Sequence, residues 1–258
     1  MNNFNAILDA AQEMARLAGQ VQIKFFRSKE LEVATKLNDF DVVTAADKAS
    51  EKIIVDCIRM KFPDHSILTE ESGFSSHGNN QWEWVIDPLD GTTNYSAGLP
   101  WFNVSIGIKH NGQTVAGVVY APRLNEMFCA TRGGGATLNG QPIAPSMTPS
   151  LAKAVVSTGF PYDKATNPDN NLDNVKRIMP MVRGLRRLGS AALDICYVAA
   201  GFLDAYWEMN LNEWDVCAAM LIAHEAGARA QRFRPDRNWS ILASNVPLEP
   251  QLMELLST

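Results

Sequence analysis

The chain carries the segment Trp84-Val85-Ile86-Asp87-Pro88-Leu89-Asp90-Gly91-Thr92-Thr93-Asn94, in which an apolar strand end runs straight into two carboxylates. Pro88 helps to fix a sharp turn, which would bring Asp87 and Asp90 to one point. Oxygen ligands of this kind are what a hard dication such as Mg²⁺ needs. Gly91 lets backbone N–H groups approach a ligand, and Thr92 could open a helix whose N-terminus favours an anion. The segment therefore predicts adjacent metal and phosphate sites; the alternative is a capped turn with surface aspartates.

Three further acidic groups stand at the ends of predicted elements. Glu70 and the acid after it close a short apolar run, directly before Ser-Gly. Asp215 precedes an apolar helix, for which an N-cap is a sufficient explanation. Thr44 and Asp47 open another helix, where Thr44 as the cap and Asp47 in the first turn also suffice. Each group can be explained by local structure alone, so their number is the informative feature.

Composition narrows the class of protein. The 258 residues are 46% hydrophobic and 20% charged, which is ordinary for a globular protein and excludes disorder by composition. The net charge of −5 and the pI of about 5.4 give no support for binding to a nucleic-acid backbone. An acidic protein that handles a phosphorylated substrate needs local positive charge, which metal ions can supply.

The chain shows no targeting or membrane signal. The N-terminal residues lack a basic segment, and Asp9 and Glu13 interrupt their apolar run, so an amphipathic helix is predicted instead of a signal peptide. No window approaches the ~20 apolar residues of a membrane span. The cysteines lack CxxC spacing and mostly have apolar neighbours, which indicates buried thiols in a reducing compartment. We therefore expect a cytoplasmic protein with no membrane and no nucleic-acid partner.

The order of apolar patterns predicts an α+β (mixed α/β) fold. Helical spacing covers residues 4–27 and 45–62, with a loop or hairpin at 28–41 between them. Short strands are then predicted at 66–69, 84–86, 104–110, 114–121 and 126–131, with a hairpin turn at Asn111-Gly112.

A second pattern follows the Pro/Ser-rich residues 142–149. Strands are predicted at 154–159, 203–209 and 241–245, and helices at 170–183, 191–201, 215–226 and the C-terminus. One domain spanning 1–258 is predicted. A boundary near residue 145 would divide it into halves at 1–145, with the metal and phosphate sites, and 146–258, with the substrate residues and the last metal ligand.

Four stretches resemble the signature sequences of the inositol monophosphatase family, the lithium-sensitive magnesium phosphatases. They are DVVTAAD (41–47), LTEESG (68–73), WVIDPLDGTTNY (84–95) and EWDVCAAMLIAHEAG (213–227). The resemblance runs from about residue 5 to the C-terminus, in the family's order and with its separations. It implies an α-β-α-β-α layered sandwich of the inositol monophosphatase and fructose bisphosphatase type, a homodimer, and a small phosphorylated substrate.

The resemblance also implies a metal site for two to three Mg²⁺ ions. Glu70, Asp87 and the Leu89 carbonyl would hold the first ion, and Asp87, Asp90 and Asp215 the second. A weaker third ion would sit on Glu70 and water. Such ions lower the pKa of bound water and stabilise the leaving alkoxide.

The catalytic residues implied by the resemblance are Asp47, Glu70 and Thr92. The backbone N–H groups of Gly91 and Thr92 would bind the phosphate. Thr92 would hydrogen-bond Asp47, and this pair would orient a water that attacks directly and in line, without a phospho-enzyme. Lys36 would lie over the metals and add positive charge; the alternative is a solvated loop lysine.

The sequence determines the identity of the substrate less closely than it determines the type of reaction. In inositol monophosphatases the hydroxyls of the sugar-like substrate are held by residues that match Asp90, Ala191 and Glu208, which favours inositol 1-phosphate. The chain departs from many relatives at Asn210 and Glu213. A carboxylate at Glu213 would disfavour a second phosphate and welcome an ammonium group. Histidinol phosphate is therefore the runner-up, followed by fructose 1,6-bisphosphate and 3′-phosphonucleotides.

A non-enzymatic alternative is a catalytically retired relative that serves as a regulatory binding protein. Such a protein would be expected to lack one or more of the metal-binding carboxylates. All the acidic positions are present in this sequence.

Overall fold

The computed structural model describes residues 4–28, 31, 33–35, 42–76 and 78–257. The helices are α1 (Asn5–Phe25), α2 (Ala45–Lys61), α3 (Thr92–Ser96), α4 (Leu172–Ile178), α5 (Ala191–Ala199), α6 (Glu213–Ala226) and α7 (Glu249–Leu256). The strands of the first part are β1 (Val33–Thr35), β2 (Val42–Thr44), β3 (His65–Thr69), β4 (Gly73–Ser75), β5 (Asn79–Asp90), β6 (Asn103–His110), β7 (Gln113–Ala121), β8 (Glu126–Thr131), β9 (Gly135–Leu138) and β10 (Gln141–Pro142). Those of the second part are β11 (Val155–Thr158), β12 (Gly184–Arg186), β13 (Ala205–Leu211), β14 (Arg229–Arg234) and β15 (Trp239–Ser244).

Two large sheets organise the described chain. The eight-stranded sheet has the order β10-β9-β8-β7-β6-β5-β3-β4 and is antiparallel except where β3 pairs with β5. The five-stranded sheet has the order β12-β11-β13-β15-β14, with β11 parallel to both of its neighbours. The chain changes from the first sheet to the second between Pro142 and Val155.

Helices cover the outer faces of both sheets and fill the space between them. One apolar core packs α1 and α2 against the outer face of the eight-stranded sheet. A second core joins both sheets through α5 and α6, and a third packs α4 and α7 on the far face of the five-stranded sheet. In β13, Tyr206 faces the middle core while Ala205 and Trp207 face the outer one, as strand alternation requires. The predicted α-β-α-β-α layering is confirmed.

Local signals account for the longer elements, whereas the short strands β4, β9, β10 and β12 were not predicted. The hairpin predicted at Asn111-Gly112 joins β6 to β7, and both residues adopt positive φ. The helix predicted over 170–183 is shorter: α4 ends at Ile178 and a 3₁₀ turn follows, because Pro180 cannot continue an α-helix. The strand β14 was not predicted, because its arginine-rich sequence lacks an apolar run.

The remaining sequence expectations concern the thiols, the 28–41 segment and the membrane. All four cysteines are free, and only Cys57 is more than marginally exposed. β1, within the segment expected to form a loop or hairpin, pairs antiparallel with β2, which begins just after that segment. Lys36 lies outside the described residues, as does Asp41. Among the described helices, none combines the length and the apolar character that a transmembrane segment needs.

Candidate active site

One cavity opens where β5 ends, between the two sheets. It is lined by most of the predicted site residues, namely Glu70, Asp87, Leu89, Asp90, Gly91, Thr92, Ala191, Glu208 and Asp215. The eight-stranded sheet and α3 contribute the first six of these, and α5, β13 and α6 contribute the last three. Elements up to 145 residues apart in sequence, from Glu70 to Asp215, therefore supply one concave, acidic site.

The backbone of β5 shifts register against β6 between Asp87 and Asp90, which turns both aspartates toward the cavity. Asp87 Oδ1 accepts the N–H of Leu89 at 3.0 Å. The buried Gln22 amide donates to the Pro88 carbonyl at 2.7 Å and holds the turn from behind. Burial raises the pKa of Asp87 well above its ordinary value, and the neighbouring charges of Glu70, Asp90 and Asp215 raise it further.

Asp90 is held through one oxygen. Its Oδ2 accepts hydrogen bonds from Asn103 Nδ2 at 2.9 Å, Ser190 Oγ at 2.7 Å and the Ala192 N–H at 2.9 Å. The donors of Ser190 and Ala192 belong to the start of α5, so Asp90 joins the eight-stranded sheet to that helix. Burial raises the pKa of this carboxyl, while hydrogen bonds from Ser190, Asn103 and the N–H groups of Ala192 and Ala191 oppose the shift.

Asp47 lies behind Thr92 as the sequence predicts. Thr92 Oγ1 is 3.1 Å from Asp47 Oδ1 and 2.9 Å from the Leu89 carbonyl, so the predicted contact between Asp47 and Thr92 is confirmed. The other oxygen, Oδ2, accepts the Thr44 N–H at 2.7 Å and the Thr44 hydroxyl at 2.6 Å, which forms the predicted cap of α2. Burial raises the pKa of Asp47 to about 6, although the Thr44 hydrogen bonds lower it.

Asp215 requires a correction. It is not the N-cap of α6; Asn212 is the cap, and Asp215 is the third helical residue, whose Oδ2 accepts the Asn212 N–H at 2.6 Å. The helix α6 begins at Glu213, two residues before the predicted start at 215. Burial raises the pKa of Asp215 well above its ordinary value, and the charges of Asp90 and Glu70 add to this.

The hypothesis that Glu213 faces the pocket is wrong. Its Oε1 lies 2.8 Å from Lys109 Nζ, which also contacts Glu83 Oε1 at 3.0 Å, and Glu213 is not part of the cavity wall. Its neighbours Asn212 and Trp214 do line the cavity. In the first turn of a helix, successive side chains point in different directions, so a position next to Trp214 did not guarantee the same exposure.

Glu208 lines the cavity from β13 of the five-stranded sheet. Its Oε2 accepts the Tyr206 hydroxyl at 2.6 Å. The carboxylate packs directly on Gly159, where an added Cβ would meet Oε2 at 1.8 Å. Burial raises the pKa of Glu208, and Tyr206 and Arg187 oppose the shift.

Gly91 occupies the tightest backbone position of the site. Its φ is +87°, and an added Cβ would lie 2.7 Å from the Trp101 carbonyl. Gly91 precedes α3, and Asn94 in that helix donates to the carbonyls of Trp101 and Leu188, each at 2.7 Å. The turn that follows Asp90 is therefore fixed on both sides, and only glycine fits its first position.

The donor set fits a hard dication. Four carboxylates and a backbone carbonyl share one cavity, and like charges raise the pKa values of Asp87 and Asp215. A bound dication would reverse this repulsion. Within the described part of the chain, no three Asp, Glu, His or Cys side chains already stand close enough to form a finished metal cluster.

Several cavity residues were not identified from the sequence. Phe160, Pro161 and Tyr162 follow Gly159 after the end of β11 and line the cavity. Arg187 also lines it, and so does Asn210, which the sequence marked only as a departure from relatives. A strand that ends in Thr-Gly and continues into an aromatic loop was the available signal. Asn210 has φ +63° at the bulge of β13, next to Glu208.

Comparison with known proteins gives a consistent result. The model of the inositol monophosphatase family matches residues 4–257. The chain is 40% identical to Nus factor SuhB of Pasteurella multocida over 251 residues, covering 97% of this chain and 94% of the relative. It is also 40% identical to inositol-1-monophosphatase of Synechocystis over 256 residues, covering 98% and 86%. The solved inositol monophosphatase of Anabaena superposes with a TM-score of 0.89 at 40% identity, covering 99% and 96%.

The layered fold and the acidic cavity define a phosphatase, a hydrolase that acts on small phosphorylated substrates. The chain belongs to the inositol monophosphatase family.

Proposed function

We propose that this protein hydrolyses the phosphate monoester of a small polyol in a Mg²⁺-dependent reaction, with inositol 1-phosphate as the first candidate. The observation that carries the proposal is the position of Glu208, a carboxylate in the same cavity as the four acids of the β3, β5 and α6 ends. A carboxylate can accept two hydroxyl hydrogen bonds, which suits a polyol. The relative named inositol-1-monophosphatase supports the same substrate.

Glu70, Asp87, Asp90, Asp215 and the Leu89 carbonyl would hold two to three Mg²⁺ ions. When bound, Mg²⁺ supplies positive charge for the phosphate, acidifies a water and stabilises the leaving oxygen. This is the local positive charge that an acidic protein otherwise lacks for a phosphorylated ligand.

The protein's own residues then have separable roles. Asp47 and Thr92 orient the attacking water, because the Thr92 hydroxyl is held between Asp47 Oδ1 and the Leu89 carbonyl. The water's proton passes to Asp47 through the Thr92 hydroxyl, which gives its own proton to Asp47 Oδ1 as it receives the one from the water. A pKa of about 6 suits Asp47 as this acceptor near neutral pH. The N–H groups of Gly91 and Thr92 bind the phosphate. Asp90, Ala191 and Glu208 contact the leaving alcohol.

The argument for the runner-up substrate, histidinol phosphate, no longer holds. Histidinol phosphate was favoured by a carboxylate at the pocket mouth, but Glu213 is paired with Lys109. Arg187, a cation, lines the cavity instead and disfavours an ammonium group. Fructose 1,6-bisphosphate and 3′-phosphonucleotides remain the next candidates.

A non-enzymatic role is the alternative from another class. Relatives such as the Pasteurella protein are named Nus factors, a name that specifies no substrate. The acidic residues argue against catalytic retirement, since each points into, or lies directly behind, one cavity.

A kinetic panel tests the proposal. Purified protein is assayed for phosphate release from inositol 1-phosphate, histidinol phosphate, fructose 1,6-bisphosphate and a 3′-phosphonucleotide, with Mg²⁺ and with excess EDTA. The Asp90→Asn protein serves as the background control. We expect kcat/KM to be highest for inositol 1-phosphate and activity to vanish with EDTA. Undiminished turnover in EDTA would refute the metal requirement, and a higher kcat/KM for another substrate would replace inositol 1-phosphate.

Three further properties belong to the proposal. We propose a homodimer, measurable by sedimentation, and a location in the cytoplasm. We also propose inhibition by Li⁺, which is small and hard like Mg²⁺. Such inhibition should be uncompetitive with substrate, because Li⁺ would trap the product phosphate after the alcohol has left; competitive inhibition would contradict this order.

A further inference from the structure

We infer that Asn171 is a positioning residue for the leaving-alcohol side of the site, where it holds Glu208 in place and so sets the preference for hydroxylated substrates. The inference rests on the proposed role of Glu208 in binding the polyol. Asn171 does not line the cavity and carries none of the sequence signals that marked the acidic residues.

The Asn171 amide uses its full hydrogen-bonding capacity on β11 and the residue after it, on β13 and on α4. Its Nδ2 donates to Thr158 Oγ1 at 2.9 Å and to the Gly159 carbonyl at 2.6 Å. Its Oδ1 accepts Trp207 Nε1 at 2.9 Å and Asn174 Nδ2 at 3.0 Å. The residue is 3% exposed. Two donors and two accepting lone pairs are all that an asparagine amide offers, so the side chain has one defined orientation.

These contacts enclose Glu208 from both sides. Gly159, whose carbonyl Asn171 holds, is the surface on which the Glu208 carboxylate packs. Trp207, whose indole Asn171 holds, is the residue before Glu208 in β13. Thr158 joins the same two strands directly, because its hydroxyl donates to the Trp207 carbonyl at 2.6 Å. A displacement of Gly159 or Trp207 would therefore move the carboxylate that contacts the alcohol.

Asn171 also closes the base of the loop that forms the cavity rim. The contact between Asn171 and the Gly159 carbonyl joins the two ends of residues 160–170, and Phe160 and Tyr162 in this loop line the cavity. Farther along the loop, Asp163 is paired with Arg237 at 2.7 Å. Asn171 adopts φ +75°, in the left-handed region where asparagine is among the few tolerated side chains.

The expected phenotype is a change in substrate preference. Glu208 is on β13 and the phosphate-binding turn follows β5, so a misplaced Glu208 should weaken binding of a polyol and leave a substrate without hydroxyls unaffected. We expect Asn171→Ala to lower kcat/KM for inositol 1-phosphate about 10-fold or more, mainly through KM. Turnover of p-nitrophenyl phosphate should change less than about threefold, which also shows that the protein is folded.

The matched control is Asn245→Ala. Asn245 is also fully buried, and its side chain donates to Ser146 Oγ and the Thr148 carbonyl and accepts the Leu248 N–H. It does not line the cavity. Both variants should lose stability to urea, since each leaves buried polar groups unpaired. Of these two variants, only Asn171→Ala should lower the ratio of kcat/KM for inositol 1-phosphate to kcat/KM for p-nitrophenyl phosphate.

Two more variants keep the inference testable. Thr158→Val preserves volume and removes the hydroxyl that links Asn171 to the Trp207 carbonyl, and it should shift the ratio in the same direction even if Asn171→Ala fails to fold. Glu208→Gln should lower the ratio on its own, and the double variant with Asn171→Ala should lower it no further.

The outcomes separate the two ideas. If Glu208→Gln leaves the ratio unchanged, the proposed role of Glu208 is wrong, and the inference is overturned with it. If Glu208→Gln lowers the ratio while Asn171→Ala and Thr158→Val both behave like Asn245→Ala, the positioning role alone is overturned.

Discussion

Replacing Asp47 with asparagine should abolish activity and yet stabilise the metal-free protein. Asp47 is fully buried, and both of its oxygens accept hydrogen bonds, Oδ2 from Thr44 and Oδ1 from Thr92. An asparagine oxygen can replace Oδ2 in the helix cap. Its Nδ2 can donate to Thr92 Oγ1, because the Thr92 hydroxyl can turn its own proton to the Leu89 carbonyl, 2.9 Å away. The fold should therefore accept Asp47→Asn without an unpaired group.

The magnitude follows from the pKa of Asp47. Burial raises it from 3.8 to about 6, which corresponds to roughly 3 kcal/mol at 1.36 kcal/mol per pKa unit. A carboxyl whose pKa is raised on folding opposes folding when it is ionised. This opposition is complete above pH 6 and absent below about pH 4. Since asparagine mimics the neutral acid, we expect Asp47→Asn to gain about 1 to 3 kcal/mol at pH 7.5 and nothing near pH 4.

Urea unfolding in EDTA, followed by circular dichroism across this pH range, measures the difference. The control is Asp56→Asn, because Asp56 is exposed on the same helix and pairs with Lys52, which predicts a change below about 0.5 kcal/mol. In the Mg²⁺-containing assay, Asp47→Asn should lower kcat about 10²- to 10⁴-fold, since the proton acceptor is lost. A stability difference independent of pH would refute the burial argument. Retention of more than a tenth of kcat would refute the proton-accepting role.

Three other substitutions test separate parts of the site. Asp90→Asn should lower kcat at least about 100-fold while circular dichroism stays unchanged, because an amide oxygen can still accept the three donors around Oδ2; full activity would contradict a metal-binding role. Glu213→Gln should cost no more than about 1 kcal/mol in urea unfolding and leave the ratio of inositol 1-phosphate to histidinol phosphate turnover unchanged; a loss confined to histidinol phosphate would restore the pocket hypothesis. Gly91→Ala should destabilise by about 1 to 3 kcal/mol, because its φ is +87° and its Cβ would meet the Trp101 carbonyl; unchanged unfolding would show that this turn can relax.

The sequence predicted those parts of the fold that depend on local pattern. Apolar spacing located α1 and α2 to within two residues at each end, and the Asn111-Gly112 turn was identified by its chemistry. Thr44 and Asp47 were assigned to a helix cap, which the structure contains. The contact between Asp47 and Thr92, 45 residues apart, came from family resemblance and not from pattern.

The rest depends on partners that a single sequence does not specify. The pocket hypothesis for Glu213 was based on its nearness in sequence to Trp214 and Asp215, with solvent or an arginine across the dimer as the alternative. Its partner is Lys109, 104 residues away in β6. The donors that hold Asp90 include Ser190, 100 residues away. Asn171 has no apolar or acidic pattern around it, and its importance appears only when Gly159 and Trp207 are placed beside it. Long-range pairings of this kind decide where a polar side chain points, and periodicity carries no information about them.

A common device orients three of the acids. Asp47 and Asp215 are each the third residue of a helix and give one oxygen to the N–H of the cap, at 2.7 and 2.6 Å. Asp90 likewise commits Oδ2 to three donors. In each case one oxygen is fixed by the scaffold, so the direction of the other is set before any ligand arrives. The helix caps alone would have explained Asp47 and Asp215 as structural residues.

This arrangement also accounts for the electrostatic cost of the site. A helix N-terminus favours a carboxylate, yet burial still raises the pKa values of Asp47 and Asp215. The caps and donors therefore orient the acids without fully offsetting the loss of water around them. A bound dication would supply the missing stabilisation of Asp87, Asp90 and Asp215, since its charge acts on all three at once. The scaffold thus sets the direction of the carboxylates, and the positive charge of the metal is what makes their proximity favourable.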